Sequence, residues 1–189
     1  MKYLESSVIA ATLIIAGFPA VYAVAANPAS TQLKVSGTIV GSTCTTTFPT
    51  SVKIPDINQS AFSAASVNSQ LGSDIDVGDV VFTGCNGHGV TLTAKGESTL
   101  AGESSKGAFK YSNASAGTEN PMFYTLGYSG GATTGNFDLT GATSASFTAQ
   151  GASFPVKQTM KVMKNANIKD LSKYTGDFTT TVLYTADYK

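Results

Sequence analysis

The chain has 189 residues, a formal net charge of zero and 13% charged side chains, against about a quarter in an ordinary globular protein. Every basic residue other than the lone histidine is a lysine. The basic footprint that nucleic-acid binding requires is missing. A surface built from Ser, Thr, Asn and Gly also lacks the charge repulsion that keeps monomers apart.

In chain order, the first feature is an export signal. Lys2 is followed by the apolar run Val8–Phe18, a break at Pro19 and small residues at Val21-Tyr22-Ala23. The run is too short to cross a bilayer, which takes about 20 apolar residues. Residues 1–23 are expected to be removed, with Ala23-Val24-Ala25 as a second cleavage site. A buried N-terminal helix is the alternative reading. No later segment is apolar enough to cross a membrane. What remains after cleavage suits one domain with a real core.

The exported part holds two cysteines, Cys44 and Cys85. An even count in an oxidising compartment reads as one disulfide, the alternative being two free thiols. A bridge closing that loop contributes roughly 4 kcal/mol in the chain-entropy account.

Period-two alternation then recurs along the chain. Leu33–Val40 alternates and runs toward Cys44. Ser51–Pro55 is a short edge-like piece, because Pro55 has no amide to donate. A strand ending at Cys85 puts Val80 and Phe82 on one face and Val77 and Val81 on the other. Val90, Leu92 and Ala94 form the next set, then Met122, Tyr124, Leu126 and Tyr128. Phe154, Val156, Gln158, Met160 and Val162 alternate with Lys157, Thr159 and Lys161. No convincing amphipathic helix appears, and 165–172 has room for one turn. Residues 96–120 and 129–150, rich in Gly, Ser, Ala and Thr, read as long surface loops, with a candidate strand at Ser146-Phe147-Thr148. Many short strands divided by turn signals indicate an all-β sandwich or barrel.

Little in the sequence carries chemistry. His88 stands alone in a Gly-flanked turn, which leaves neither a zinc ligand set nor a serine triad. The stretch GYSGGATTGN has no GK[ST] ending and reads as a loop. Asp74, Asp76 and Asp79 have the oxygen donors for calcium, but alternation with Ile75 and Val77 reads as a solvated strand face. Asn58 and Asn113 open weak glycosylation sequons. We therefore expect no enzyme, no metal and no cofactor.

The last residues, GDFTTTVLYTADYK, alternate almost to the end. Phe178, Thr180, Val182, Tyr184, Ala186 and Tyr188 can all face a core. The segment VAANPASTQLKVSG near the other end is extended and weakly apolar, with no hairpin partner. One end offers a free strand and the other a free edge. Head-to-tail strand addition between copies would satisfy both, and such a heterologous contact builds an open filament.

These residues resemble the subunits of chaperone–usher pili of the type 1 fimbrial kind. The resemblance covers nearly all of the mature chain. It rests on GTIVGSTC (Gly37–Cys44), VVFTGC (Val80–Cys85), the spacing of the cysteines, Gly176 as the fourteenth residue from the end and Tyr188 as the penultimate one. It implies an incomplete immunoglobulin-like β-sandwich, the pilin fold, lacking its C-terminal strand and completed by a donor strand. Residues 24–35 would be the donor extension and 36–189 the pilin domain. Ala29, Thr31, Leu33 and Val35 would face the groove of a neighbouring copy. That groove would lie between Leu33–Ile39 and Phe178–Tyr188, with Gly176, Phe178, Thr180, Val182, Tyr184, Ala186, Tyr188 and Lys189 forming the acceptor and chaperone-binding strand. A periplasmic chaperone would fill it first, its basic residues holding the carboxylate of Lys189. At the outer-membrane usher the next subunit's extension would replace the chaperone strand. The chain departs from the family in one respect: residues 24–36 contain no glycine, so Ala29 or Thr31 stands where the family usually has one.

The implied role is a structural subunit of a cell-surface adhesive fimbria, whose loops 96–120 or 129–150 would carry any contact to a host receptor. Three alternatives remain at this stage. One is a minor, adaptor, tip or terminator subunit of the same kind of pilus. Another is a freestanding secreted immunoglobulin-like binding module. The third, an enzyme on a β-sandwich, lacks ligands and bases.

Overall fold

The computed structural model describes residues 43–112, 120–166, 174 and 176–189. The expected signal, the extension 24–35 and the strand Leu33–Val40 lie outside these residues.

Alternation of large apolar and small polar residues produces the strands, and the strands fall into two principal sheets. The larger sheet has the order β1-β2-β10-β7-β5-β4, with β8 added to β7. Its members are β1 (Thr45–Thr47), β2 (Ile75–Thr83), β4 (Thr99–Leu100), β5 (Glu103–Ala108), β7 (Met122–Gly130), β8 (Thr133–Asn136) and β10 (Ser153–Lys164). The smaller sheet has the order β12-β3-β9, from β3 (Gly89–Gly96), β9 (Ala145–Thr148) and β12 (Val182–Tyr188). A third, two-stranded sheet joins β6 (Lys110–Tyr111) to β11 (Phe178–Thr179). Every ladder among them is antiparallel. The short helix α1 (Gln59–Ala64) interrupts the β pattern between β1 and β2.

The core lies between the inward rows of these sheets. From the larger sheet come Val80, Phe82, Tyr124, Leu126, Val156 and Val162, and from the smaller Val90, Leu92, Ala94, Ala145 and Phe147. The alternations read for β3 and β10 are the ones observed; in β7 Met122, Tyr124 and Leu126 are buried as read, but Phe123 is buried as well and Tyr128 only half-buried.

Three expectations change. First, 96–112 and 129–150 are not mere surface loops. They contain β4, β5, β6, β8 and β9 and bury Ala108, Phe109, Phe137 and Leu139. Their strands are short and flanked by Gly and Ser, so isolated aromatics rather than a periodic row carry the burial. Second, Val77 does not oppose Val80. The ladder to β10 shifts between Gln158 and Thr159, and Gly78 sits at φ 97° with its amide donating to Asp76 Oδ1 at 2.9 Å. This β-bulge switches the inward parity, so Ile75 and Val77 pack on the core beside Val80 and Phe82. Third, while most of the turn expected at 165–172 lies outside the described residues, a short helix that the sequence reading did not expect forms at 59–64. Asn58 caps it, its Oδ1 accepting from the Ser60 amide at 2.8 Å, and Phe62 plugs the core with no exposed surface. The expected strand Ser51–Pro55 has no ladder partner among the described residues.

The disulfide Cys44–Cys85 is present, with its Cα atoms 4.7 Å apart. It ties the residue before β1 to the residue just past β2.

Aromatic rings dominate the packing near β12. Phe109 lies 5.1 Å from both Tyr124 and Phe178, and Phe137 lies 6.3 Å from Tyr184. Gly107 lies flat against the Tyr124 ring, where a Cβ would overlap the ring atoms. Burial pushes the Tyr124 and Tyr184 phenols above their ordinary value; Glu97 adds to the rise at Tyr124, against the hydrogen bond from Thr180, and Tyr124 adds to the rise at Tyr184. The Tyr184 hydroxyl is buried without a hydrogen-bond partner among the described residues.

Two outcomes are expected. Gly107→Ala should destabilise the fold by about 1–3 kcal/mol or more through overpacking against Tyr124, read as a lower urea midpoint with an unchanged slope. The raised phenols contribute stability that is complete below the unfolded tyrosine value of about 10. It is lost as pH rises from there toward the folded values, because the unfolded chain then releases protons the fold retains. The melting temperature should be flat from pH 7 to 9 and fall above 10. Tyr184→Phe should reduce that fall without lowering stability at pH 7.

Candidate functional site

The alternating C-terminal segment is the starting point of the site. Its predicted continuous strand is broken at Thr180–Thr181. Upstream, β11 pairs with β6 through Phe178↔Tyr111 and Thr179↔Lys110. Downstream, β12 pairs with β3 from Val182↔Gly96 to Tyr188↔Val90. The Thr181 carbonyl accepts from the Glu97 amide at 2.8 Å, and Thr180 Oγ1 donates to the Tyr124 hydroxyl at 3.2 Å. These contacts explain the break: the chain steps from one sheet to another while its polar groups stay paired.

Past the break, Val182, Tyr184 and Ala186 are half-buried and pack on the core, while Leu183, Thr185 and Asp187 are exposed. Phe178 and Thr180 are half-buried too. Tyr188 departs from the expected inward row and is 54% exposed. Gly176 is exposed with φ 105°. Lys189 closes the segment: its amide donates to the Gly89 carbonyl at 3.0 Å, and its carbonyl oxygen lies 2.9 Å from His88 Nδ1.

Among the described residues, β12 has a strand partner on one side only. Its other side borders a groove of about 590 Å³. One wall of the groove is 176–182 with Tyr184, the opposite wall is Pro49–Ile54 with Asp56, and Val77 and Met160 also line it. The sequence reading placed the second wall at Leu33–Ile39, which lies outside the described residues. The wall that is described, 49–56, includes the piece 51–55 read as edge-like, but nothing in its own sequence showed that it faces the C-terminal strand. Val77 was missed because of the bulge, for which Gly78 inside a strand pattern was the available signal. The expected donor residues Ala29, Thr31, Leu33 and Val35 also lie outside the described residues, so the structure does not bring them to the groove.

Among the described residues the groove joins an unpaired edge of β12 to the half-buried apolar side chains of Val182 and Tyr184. Asp74, Asp76 and Asp79 do not line the groove, and the first two have other partners. Asp74 Oδ1 accepts from Gln70 Nε2 at 2.8 Å and sits 3.8 Å from Lys161 Nζ, and Asp76 caps Gly78. Among the described residues no group of three or more His, Cys, Asp or Glu is placed to hold a metal ion, and no helix is long and apolar enough to cross a membrane.

No protein-family model matches the chain, and no curated protein matches it in sequence. Solved structures do. One comes from a chaperone–usher pilus whose structure explains rod uncoiling: it superposes with a TM-score of 0.53 at 15% identity, over 88% of this chain and all of that one. Another is PapA, the P pilus rod subunit, with a TM-score of 0.52 at 14% identity, over 77% of this chain and 99% of that one. Identity this low speaks for backbone architecture rather than for shared chemistry. The chain thus has the immunoglobulin-like pilin fold that those pilus rod subunits have.

Proposed function

We propose that this protein is a structural subunit of a cell-surface fimbria and polymerises by donor-strand exchange. The observation that carries the reading is the groove beside β12. It joins an edge strand with one partner among the described residues to a half-buried apolar row, within a pilin fold. In this reading the N-terminal extension of a neighbouring copy, with Ala29, Thr31, Leu33 and Val35 inward, enters between 49–56 and β12. Backbone bonds to β12 supply much of the hold, and contacts to Val182, Tyr184 and Ala186 supply the rest. The contact is head-to-tail, so copies continue into a fibre instead of closing a ring.

The exported monomer needs its groove covered before assembly, because an uncovered apolar edge aggregates. A periplasmic chaperone and an outer-membrane usher are the partners this chemistry calls for. A host receptor, if the fibre binds one, meets the exposed loops. No catalytic step is required of any residue.

The test uses material sheared from cells that express the intact assembly system, run on a denaturing gel with and without heating. Wild type should give a ladder of multimers that heating dissolves. Deleting residues 24–32 should abolish the ladder. A monomer in both strains that resists proteolysis with no chaperone present would show a complete fold and favour a freestanding secreted binding module.

A further inference from the structure

Among the described residues, the buried polar or charged side chains are Gln158 and Lys164. Lys164 ends β10, on the same inward row as Met160 and Val162, and is 1% exposed. Its Nζ donates to the carbonyls of Phe62 and Ala65, each at 2.9 Å, and stands 4.6 Å from the centre of the Phe62 ring. Those carbonyls belong to the C-terminal end of α1, where a helix leaves acceptors unpaired and carries partial negative charge. Burying an amine costs far more than burying an apolar chain of the same length. Packing alone would be better served by methionine.

The helix holds one end of a groove wall. The segment 48–58 leads directly into α1, and among the described residues its only backbone bond is the Asn58 carbonyl accepting from Phe62. Its other end is fixed by β1 and the Cys44–Cys85 bridge. Open space lies on both sides of it. The groove is on one side, and a second hollow of about 320 Å³, bordered by Ile54, Asp56, Ala61, Ala65 and Leu71, is on the other. Between its ends the strap has no ladder among the described residues, only Phe48, Ile54 and Ile57 packed on the core, so the position of its ends bears directly on how far it stands from β12.

We propose that Lys164 is a positioning residue for the groove: by clamping the C-terminal end of α1 it fixes the far end of the strap 48–58 and thereby the groove's width. The consequence for strand uptake rests on the donor-strand reading, whereas the clamp itself does not.

The test compares the full exported chain with Lys164→Met. Trypsin cleavage after Lys53, an exposed strap residue, reports the strap. Amide exchange at Phe62 and Ala65 reports the helix, and exchange across β3 and β7 reports the sandwich. Loss of two hydrogen bonds to a charged donor should speed strap cleavage and helix exchange by about tenfold or more, with β3 and β7 unchanged. Binding of a synthetic 24–36 peptide should weaken in parallel. A strap as resistant as in wild type, or a loosening of all strands together, would overturn the proposal. If Lys164→Met does not fold, Lys164→Gln serves instead. It removes the charge and shortens the reach to the Phe62 and Ala65 carbonyls and should speed cleavage after Lys53 by about fivefold, and an unchanged rate would again overturn the proposal. Failure of wild type to bind the peptide would count against the donor-strand reading alone, since the cleavage rates still decide the role of Lys164.

Discussion

A β-strand has two edges and two faces, and β12 has one edge paired and one face half-buried among the described residues. The rest of the site is arranged around that condition. Val182, Tyr184 and Ala186 have to stay against the core for the smaller sheet to close over the larger one. Their inward packing fixes the open edge beside the groove. An edge of this kind is a hazard in a solitary domain and a socket in a polymerising one.

The two walls of the groove are held by different physics. On the β12 side the hold is regular: a seven-residue ladder to β3, closed at its end by the Lys189 amide on Gly89 and by His88 beside the Lys189 carbonyl. The step at Thr180–Thr181 frees Phe178 to pack edge-on against Phe109. On the opposite side the hold is irregular. The strap gains its position from a disulfide at one end and from a capped, lysine-clamped helix at the other, with Phe48, Ile54 and Ile57 packed on the core between. A wall without a ladder can yield to an incoming strand in a way that a paired strand cannot.

Long, regular strands were legible before any coordinates. β3 and β10 carry long, clean alternation that burial follows closely, and β7 follows its row through Met122, Tyr124 and Leu126 while also burying Phe123 off that row. Most short strands were not legible. β9 was read as a candidate strand at 146–148, but β4, β6 and β8 have two to four residues each, too few for a period to declare itself, and they sit among Gly, Ser and Thr that resemble a loop. Phe109, Phe137 and Leu139 reach the core one at a time, so no pattern announces them. The row in β10 was read as far as Val162, and one further step of two reaches Lys164. A charged residue on an inward row looks like the end of a strand until the helix carbonyls that receive it are known.

The sequence by itself determined an all-β sandwich or barrel, the one pairing open to a disulfide, Cys44 with Cys85, and a final strand with an apolar row. These follow from local periodicity and from a count of two cysteines. Only the tertiary structure decided where that row stands relative to anything else. It broke the last strand at Thr180, turned Val77 inward through the bulge at Gly78, exposed Tyr188 and made 49–56 a wall of the groove. Each of these depends on which distant backbone supplies a hydrogen bond or which distant ring fills a space. Such contacts have no period along the chain and form only when the two sheets close on each other.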